Sequence, residues 1–134
     1  MVMSLKDYKD AKSVKKLVEK MFEVRQTSHN VHLQTKSYST HKALNSYYND
    51  LLDLTDTFVE TWQGQYGILT GYESMQVALV DDVVSYLEDA VKIFMLGRDS
   101  LKEGDSHLKN ILDEVVALTY STIYKLKFLK WFYP

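Results

Sequence analysis

Apolar residues recur at three- and four-residue spacing along four stretches of the chain, which predicts four helices: A over 6–35, B over 39–62, C over 74–103 and D over 106–129. On helix A, Val14, Val18 and Met21 are followed on the same face by Arg25, Ser28 and His32. The inward stripe therefore turns polar toward its C-terminal end. Helix B offers Leu44, Tyr48, Leu51, Leu52, Thr55, Val59 and Trp62, with Ser39 as N-cap and Gly64 just past its end. Helix C carries Val77, Val80, Val84, Leu87, Val91 and Phe94 and tolerates Gly97 near its end. Helix D follows a Gly104-Asp105-Ser106 turn and carries Leu108, Ile111, Leu112, Val115, Leu118 and Ile123.

The A–B and C–D connections are so short that each pair must fold back as an antiparallel hairpin. Between B and C lies the only long irregular stretch, 63–73 (QGQYGILTGYE), with three of the five glycines. Fully extended it reaches about 36 Å, close to the roughly 36 Å length of helix B, so a crossover along the bundle and simple up-down-up-down winding are both open. The expectation is one all-α domain over 1–134, a four-helix bundle.

Composition narrows the chemistry. With 46% hydrophobic and 25% charged residues the chain should fold, and without cysteine it has neither disulfides nor thiolate metal ligands. No apolar run approaches the roughly 20 residues that span a bilayer, and residues 1–20 lack the apolar core of a signal peptide. A cytoplasmic protein without a membrane partner is expected. No nucleophile sits beside a base and there is no phosphate-binding glycine loop, which leaves hydrolase and kinase readings without support.

The net charge of -2 hides a pattern. Residues 1–20 hold six lysines against three acids, 125–134 hold three lysines and no acid, and 43–114 hold fourteen acids against four basic residues. Lys9, Lys12, Lys16 and Lys20 line one side of helix A and could contact DNA phosphates. Asp7, Asp10 and Glu19 interleave with them, so a solvated face is the stronger expectation.

Three of the four histidines, His29, His32 and His41, flank the A–B turn, and imidazole suits iron, zinc or copper. Asp56 and Glu60 on helix B have the i, i+4 spacing that lets two carboxylates share a cation. His41 and Asp56 are fifteen residues apart on one helix, about 22 Å, so they can join in one site only across two chains. A second arrangement keeps the ion within one chain, on His29, His32 and His41 with help from Glu114 or His107. A hydrogen-bonded core histidine and a solvated acidic face would explain the same residues without metal.

The segment 29–60 (HNVHLQTKSYSTHKALNSYYNDLLDLTDTFVE) resembles the first hairpin of the Dps-type mini-ferritins of the ferritin-like superfamily. His32 matches the family's first histidine and His41 its second, while Asp56 and Glu60 keep the family's spacing of fifteen and then four residues. Residues 103–129 resemble the family's C–D turn and last helix, and short Dps-related proteins of tailed bacteriophages are similar too. The resemblance implies a ferritin-like bundle and a ferroxidase centre, in which two histidines of one subunit and two carboxylates of its two-fold mate bind iron, as one ion or two. Zinc would serve as a substitute. Three departures stand out. The turn is three residues short, so His29 rather than His32 holds the ungapped spacing; the family's extra acid is Asn45; and 63–73 is too short for the BC helix of the family's dimer interface. The same residues, without a metal, would make a non-catalytic helical interaction protein. A homo-oligomer, at least a dimer, is expected from the shared site and from the aromatic ending Trp131, Phe132 and Tyr133.

Overall fold

The computed structural model describes residues 11–77 and 79–130. It contains four helices and, among the described residues, no strand: α1 (Ala11–Gln34), α2 (Tyr38–Tyr66), α3 (Val83–Ser100) and α4 (Ser106–Phe128). Residues 6–10 of helix A, Lys9 with them, and the ending from Trp131 lie outside the described residues, as does the side chain of Lys12. No helix among the described residues is long and apolar enough to cross a membrane.

The apolar stripes do what their spacing predicts. Leu17, Val18 and Met21 of α1, Leu44, Leu51 and Phe58 of α2, Leu87 and Phe94 of α3, and Leu108, Leu112 and Val115 of α4 are fully buried in one core. Each such side chain contributes about 1.5–3 kcal/mol relative to exposure, and this burial rather than helix propensity holds the elements together.

Three boundaries differ from the sequence expectation. Helix α2 is capped by Ser37, whose hydroxyl accepts the Thr40 N–H at 3.3 Å, rather than by Ser39. It also runs through Gly64 to Tyr66 and stops at Gly67, whose φ of 102° suits only glycine and whose N–H returns to the Gln63 carbonyl. The largest correction concerns helix C, which starts at Val83 instead of residue 74. Asp82 sets that start: its carboxylate accepts the Ser85 N–H at 3.2 Å and the Ser85 hydroxyl at 2.9 Å.

Residues 67–82 therefore form a sixteen-residue connection without helix among its described residues, in agreement with the expected lack of a BC helix. It is pinned to α1 as it passes. Lys15 donates to the Gly71 carbonyl at 3.2 Å, and the Glu73 N–H donates to Glu19 at 2.6 Å. Leu69 is tucked in, its N–H held by the Gln63 side chain at 3.1 Å.

Neighbouring helices are α1 with α2, α2 with α4, α4 with α3, and α3 with α1. Tyr86 near the start of α3 meets Glu23, and Gly97 near its end meets Leu17, so α3 runs antiparallel to α1. Gln65 at the end of α2 meets Asp105 at the head of α4, and Tyr47 meets Thr119, so α4 runs antiparallel to α2. Helices α2 and α3 are consequently parallel. Of the two windings left open, the chain takes the one with a single crossover along the bundle.

Candidate functional site

Only residues 35–37 separate α1 from α2, which brings the last turn of α1 against the first turn of α2. His32 Nδ1 lies 2.6 Å from the His41 carbonyl oxygen, and His41 Nδ1 lies 2.8 Å from the His32 carbonyl oxygen. A carbonyl can only accept, so each imidazole carries a proton on Nδ1, and Nε2 is the nitrogen left to bear the lone pair in the neutral ring. The rings stack with centroids 3.7 Å apart and planes 16° apart, and His32 is only 7% exposed.

His29 is held differently. Its ring lies flat on Tyr48 at 4.3 Å and 15°, and Tyr48 also receives the Arg25 guanidinium at 5.5 Å and the His32 edge at 5.4 Å. Partial burial, then the positive charge of Arg25, then His32 push the His29 pKa below 6.5. Asn45, standing where the resembled family has an acid, accepts the Tyr48 hydroxyl at 3.0 Å. The polar end of the α1 stripe is thus inside, as its sequence implies: Thr27 and Ser28 are fully buried and His32 nearly so.

The three histidines gather, yet they do not converge on one point. An ion must lie near the plane of each imidazole that binds it, and two nearly parallel rings 3.7 Å apart share no such position between them. Among the described residues, no three of His, Asp and Glu are grouped so that one ion could sit among them. Asp56 and Glu60 are exposed on α2, about 22 and 28 Å along the helix from His41. The structure also corrects the in-chain arrangement that drew on His107 and Glu114. Because of the crossover, α4 begins beside the end of α2, where His107 Nε2 meets the Gln65 side chain at 2.7 Å, about 36 Å along α2 from His41. Glu114 lies five residues before Thr119, the partner of Tyr47, and so also stands away from the turn.

Sequence reasoning missed two polar clusters. Glu23 accepts both Lys20 and the Tyr86 hydroxyl at 2.6 Å, and burial with the Glu23 charge raises the Tyr86 pKa far above its usual value. Asp105 accepts the Tyr66 hydroxyl and the Gln65 amide, bonds that lower its pKa. Glu23 could have been flagged by its place beside Lys20 on the inner half of α1; Asp105 reads from sequence only as a cap. A groove of about 550 Å³ between α1, the connection and α3, walled by Phe22, Tyr72 and Ile93, includes none of the five candidate residues.

The model of DUF5856, a family of unknown function, matches residues 32–126, which is 95 of the 134 residues. The chain belongs to this family. The DUF5856 match begins at His32, so it takes in His41, Asp56 and Glu60 and leaves His29 outside. No curated protein and no solved structure matches the chain.

Proposed function

We propose that this DUF5856 protein is a ferritin-like, metal-binding bundle in which His32 and His41 of one chain, with Asp56 and Glu60 of a second chain, bind ferrous iron and promote its oxidation by oxygen or peroxide. The observation that carries the proposal is the orientation of the two imidazoles. Metal-binding histidines commonly donate their other ring N–H to a carbonyl, which fixes the tautomer and aims the lone pair, and both rings here have that support. Stacked rings suit one nitrogen for each of two neighbouring ions, with the carboxylates completing and bridging them. His32 is preferred over His29, whose ring is laid on Tyr48. The single crossover between parallel α2 and α3 is the connection that ferritin-like bundles use, and it supports the same reading. Zinc would bind the same donors without redox change.

The test is complementation. Wild-type protein should oxidise ferrous iron faster than buffer in stopped-flow absorbance, His41→Ala and Glu60→Ala should each lose that rate, and mixing the two variants should restore part of it by forming one intact site per mixed pair. Equal rates for wild type and both variants would sink the proposal.

A second reading has its own observation. The reciprocal His32 and His41 bonds close the α1–α2 turn without any metal, as a helical scaffold for another protein would require. Elemental analysis of chelator-free protein separates the two, since a scaffold should carry no stoichiometric iron or zinc.

A further inference from the structure

We infer that the outer face of the C-terminal half of α4 rests on an anionic phospholipid surface, its aromatic rings at the headgroup boundary and its lysines among the phosphates. No helix among the described residues can cross a membrane, but a helix lying on one needs only an apolar stripe edged with cations. The expectation of no membrane partner rests on the lack of a span and does not bear on such a contact.

Tyr120, Tyr124 and Phe128 follow one another on α4 at four-residue spacing and are exposed by 53%, 53% and 65%, with Leu129 beside them at 49%. The buried residues of α4, among them Leu112, Val115, Thr119 and Leu126, occupy the opposite side, so the stripe is not the rim of the core. At 3.6 residues per turn, Lys125 stands about 100° round the helix from Tyr124 on one side and Lys127 about 60° on the other. The rings are therefore edged by ammonium groups on both flanks, and Lys130 follows the helix end. Aromatic rings so edged suit the boundary between water and lipid, where lysine stems run along apolar surface and their heads reach phosphate.

Charge selects the occupant. Helix α4 has no acid from Val115 onward, and α2 beside it has none from Tyr38 to Asn49. Toward α3, Asp89 is offset by Lys92 at 3.7 Å and Asp82 is engaged in capping Ser85. That leaves Asp81 and Glu88 against the three lysines of α4 and Lys42 of α2, which is exposed at the level of Tyr124: Lys42 lies five residues from Tyr47, as Tyr124 lies five from its partner Thr119. A second copy of this face would set lysine against lysine. A nucleic acid would meet a convex ridge that includes the aliphatic Leu129, rather than a basic groove with stacking platforms. The face is open both in one chain and in a pair joined at the proposed metal ligands, because His32 and His41 lie on the α1–α2 side and, among the described residues, α4 packs on α2 and α3 but not on α1.

Co-sedimentation of the full chain with vesicles tests this. The protein should pellet with phosphatidylcholine vesicles containing about 30% phosphatidylserine, stay in solution with phosphatidylcholine alone, and be largely released at about 1 M salt. Lys125→Ala and Lys127→Ala should each weaken binding about fivefold and Phe128→Ser about tenfold, with unchanged helix content by circular dichroism. Lys102→Ala, at the far end of the bundle, should change nothing. A failure to bind the anionic vesicles overturns the inference, as does binding that ignores phosphatidylserine or that survives either the lysine changes or the Phe128 change undiminished. If the same lysines retained an oligonucleotide in a gel shift while the vesicles stayed bare, the ligand would be a nucleic acid and the inference would fail. It would fail equally if vesicles were bound only after residues 131–134 were deleted, since the chain's own ending would then be the cover.

Discussion

Gly97 lies inside α3, where alanine normally favours helix by about 1 kcal/mol. A Cβ there would lie 2.7 and 2.8 Å from the two methyl carbons of Leu17, well inside the 3.5–4.0 Å at which carbon atoms pack. Leu17 is fully buried in the core, so its methyls can move aside only by displacing packed neighbours. Overpacking of this kind costs about 1–3 kcal/mol, so Gly97→Ala should come out destabilising by about 0–2 kcal/mol despite its better propensity. Gly64 in α2 provides the control. Nothing lies within 4 Å of its Cβ position, so Gly64→Ala should stabilise by about 0.5–1 kcal/mol. In a Leu17→Ala background, itself weaker by about 2–5 kcal/mol, Gly97→Ala should turn stabilising because the clash is gone. Urea unfolding followed by far-UV circular dichroism, at one chain concentration, reads all four variants. If Gly97→Ala raised the midpoint as Gly64→Ala does, or kept its sign when Leu17 is shortened, the close approach of α1 and α3 would be refuted.

The Thr119 hydroxyl donates to the Val115 carbonyl, so the buried Tyr47 hydroxyl, 2.9 Å away, must be the donor between them. Tyr47→Phe should cost about 1 kcal/mol and Thr119→Val, which leaves the phenol without its acceptor, about 1–3 kcal/mol, with the double variant in urea melts losing less than the sum. Because the folded His29 pKa lies below the unfolded 6.5, the folded state binds fewer protons there. Stability should fall as the pH drops from neutral through 6.5 toward the lowered value, and urea midpoints of His29→Gln should be flatter over that window. The Asp82 carboxylate is held below its ordinary pKa by the Ser85 hydroxyl and N–H, so its capping should be lost as pH falls through that lowered value; Asp82→Ala should speed amide exchange in the first turn of α3 at neutral pH, and unchanged exchange would dismiss the cap.

What the sequence revealed depended on how local the cause was. Helices α1, α2 and α4 were legible because their apolar spacing has one structural explanation. The start of α3 was not, since Val77 and Val80 continue the spacing of Val84 and Leu87 although they are half-buried residues of a mostly exposed connection. Only Asp82, with a serine three residues on, marked the true boundary. Winding was undecidable because the reach of the connection nearly equalled the helix length, and the misplacement of His107 and Glu114 followed from that. The gathering of His29, His32 and His41 was readable from the short turn. Their stacking was not, because it depends on two backbone carbonyls that only the folded turn presents. Tyr48 lay in view, one heptad beyond His41, but as packing rather than as the surface on which His29 and Arg25 rest.

The crossover also decides where the chain can be held. An up-down-up-down bundle starts and finishes at the same end, whereas here α1 begins at one end and α4 finishes at the other. Anything tethered beyond Ala11 and anything tethered beyond Phe128 is kept apart by about the length of α1, roughly 36 Å. Tension between these two points runs along the helix axes, so the side-chain layers must slide past one another together instead of peeling open turn by turn. Built this way, the bundle behaves as a stiff strut, and the force it withstands is set by its slowest unfolding step.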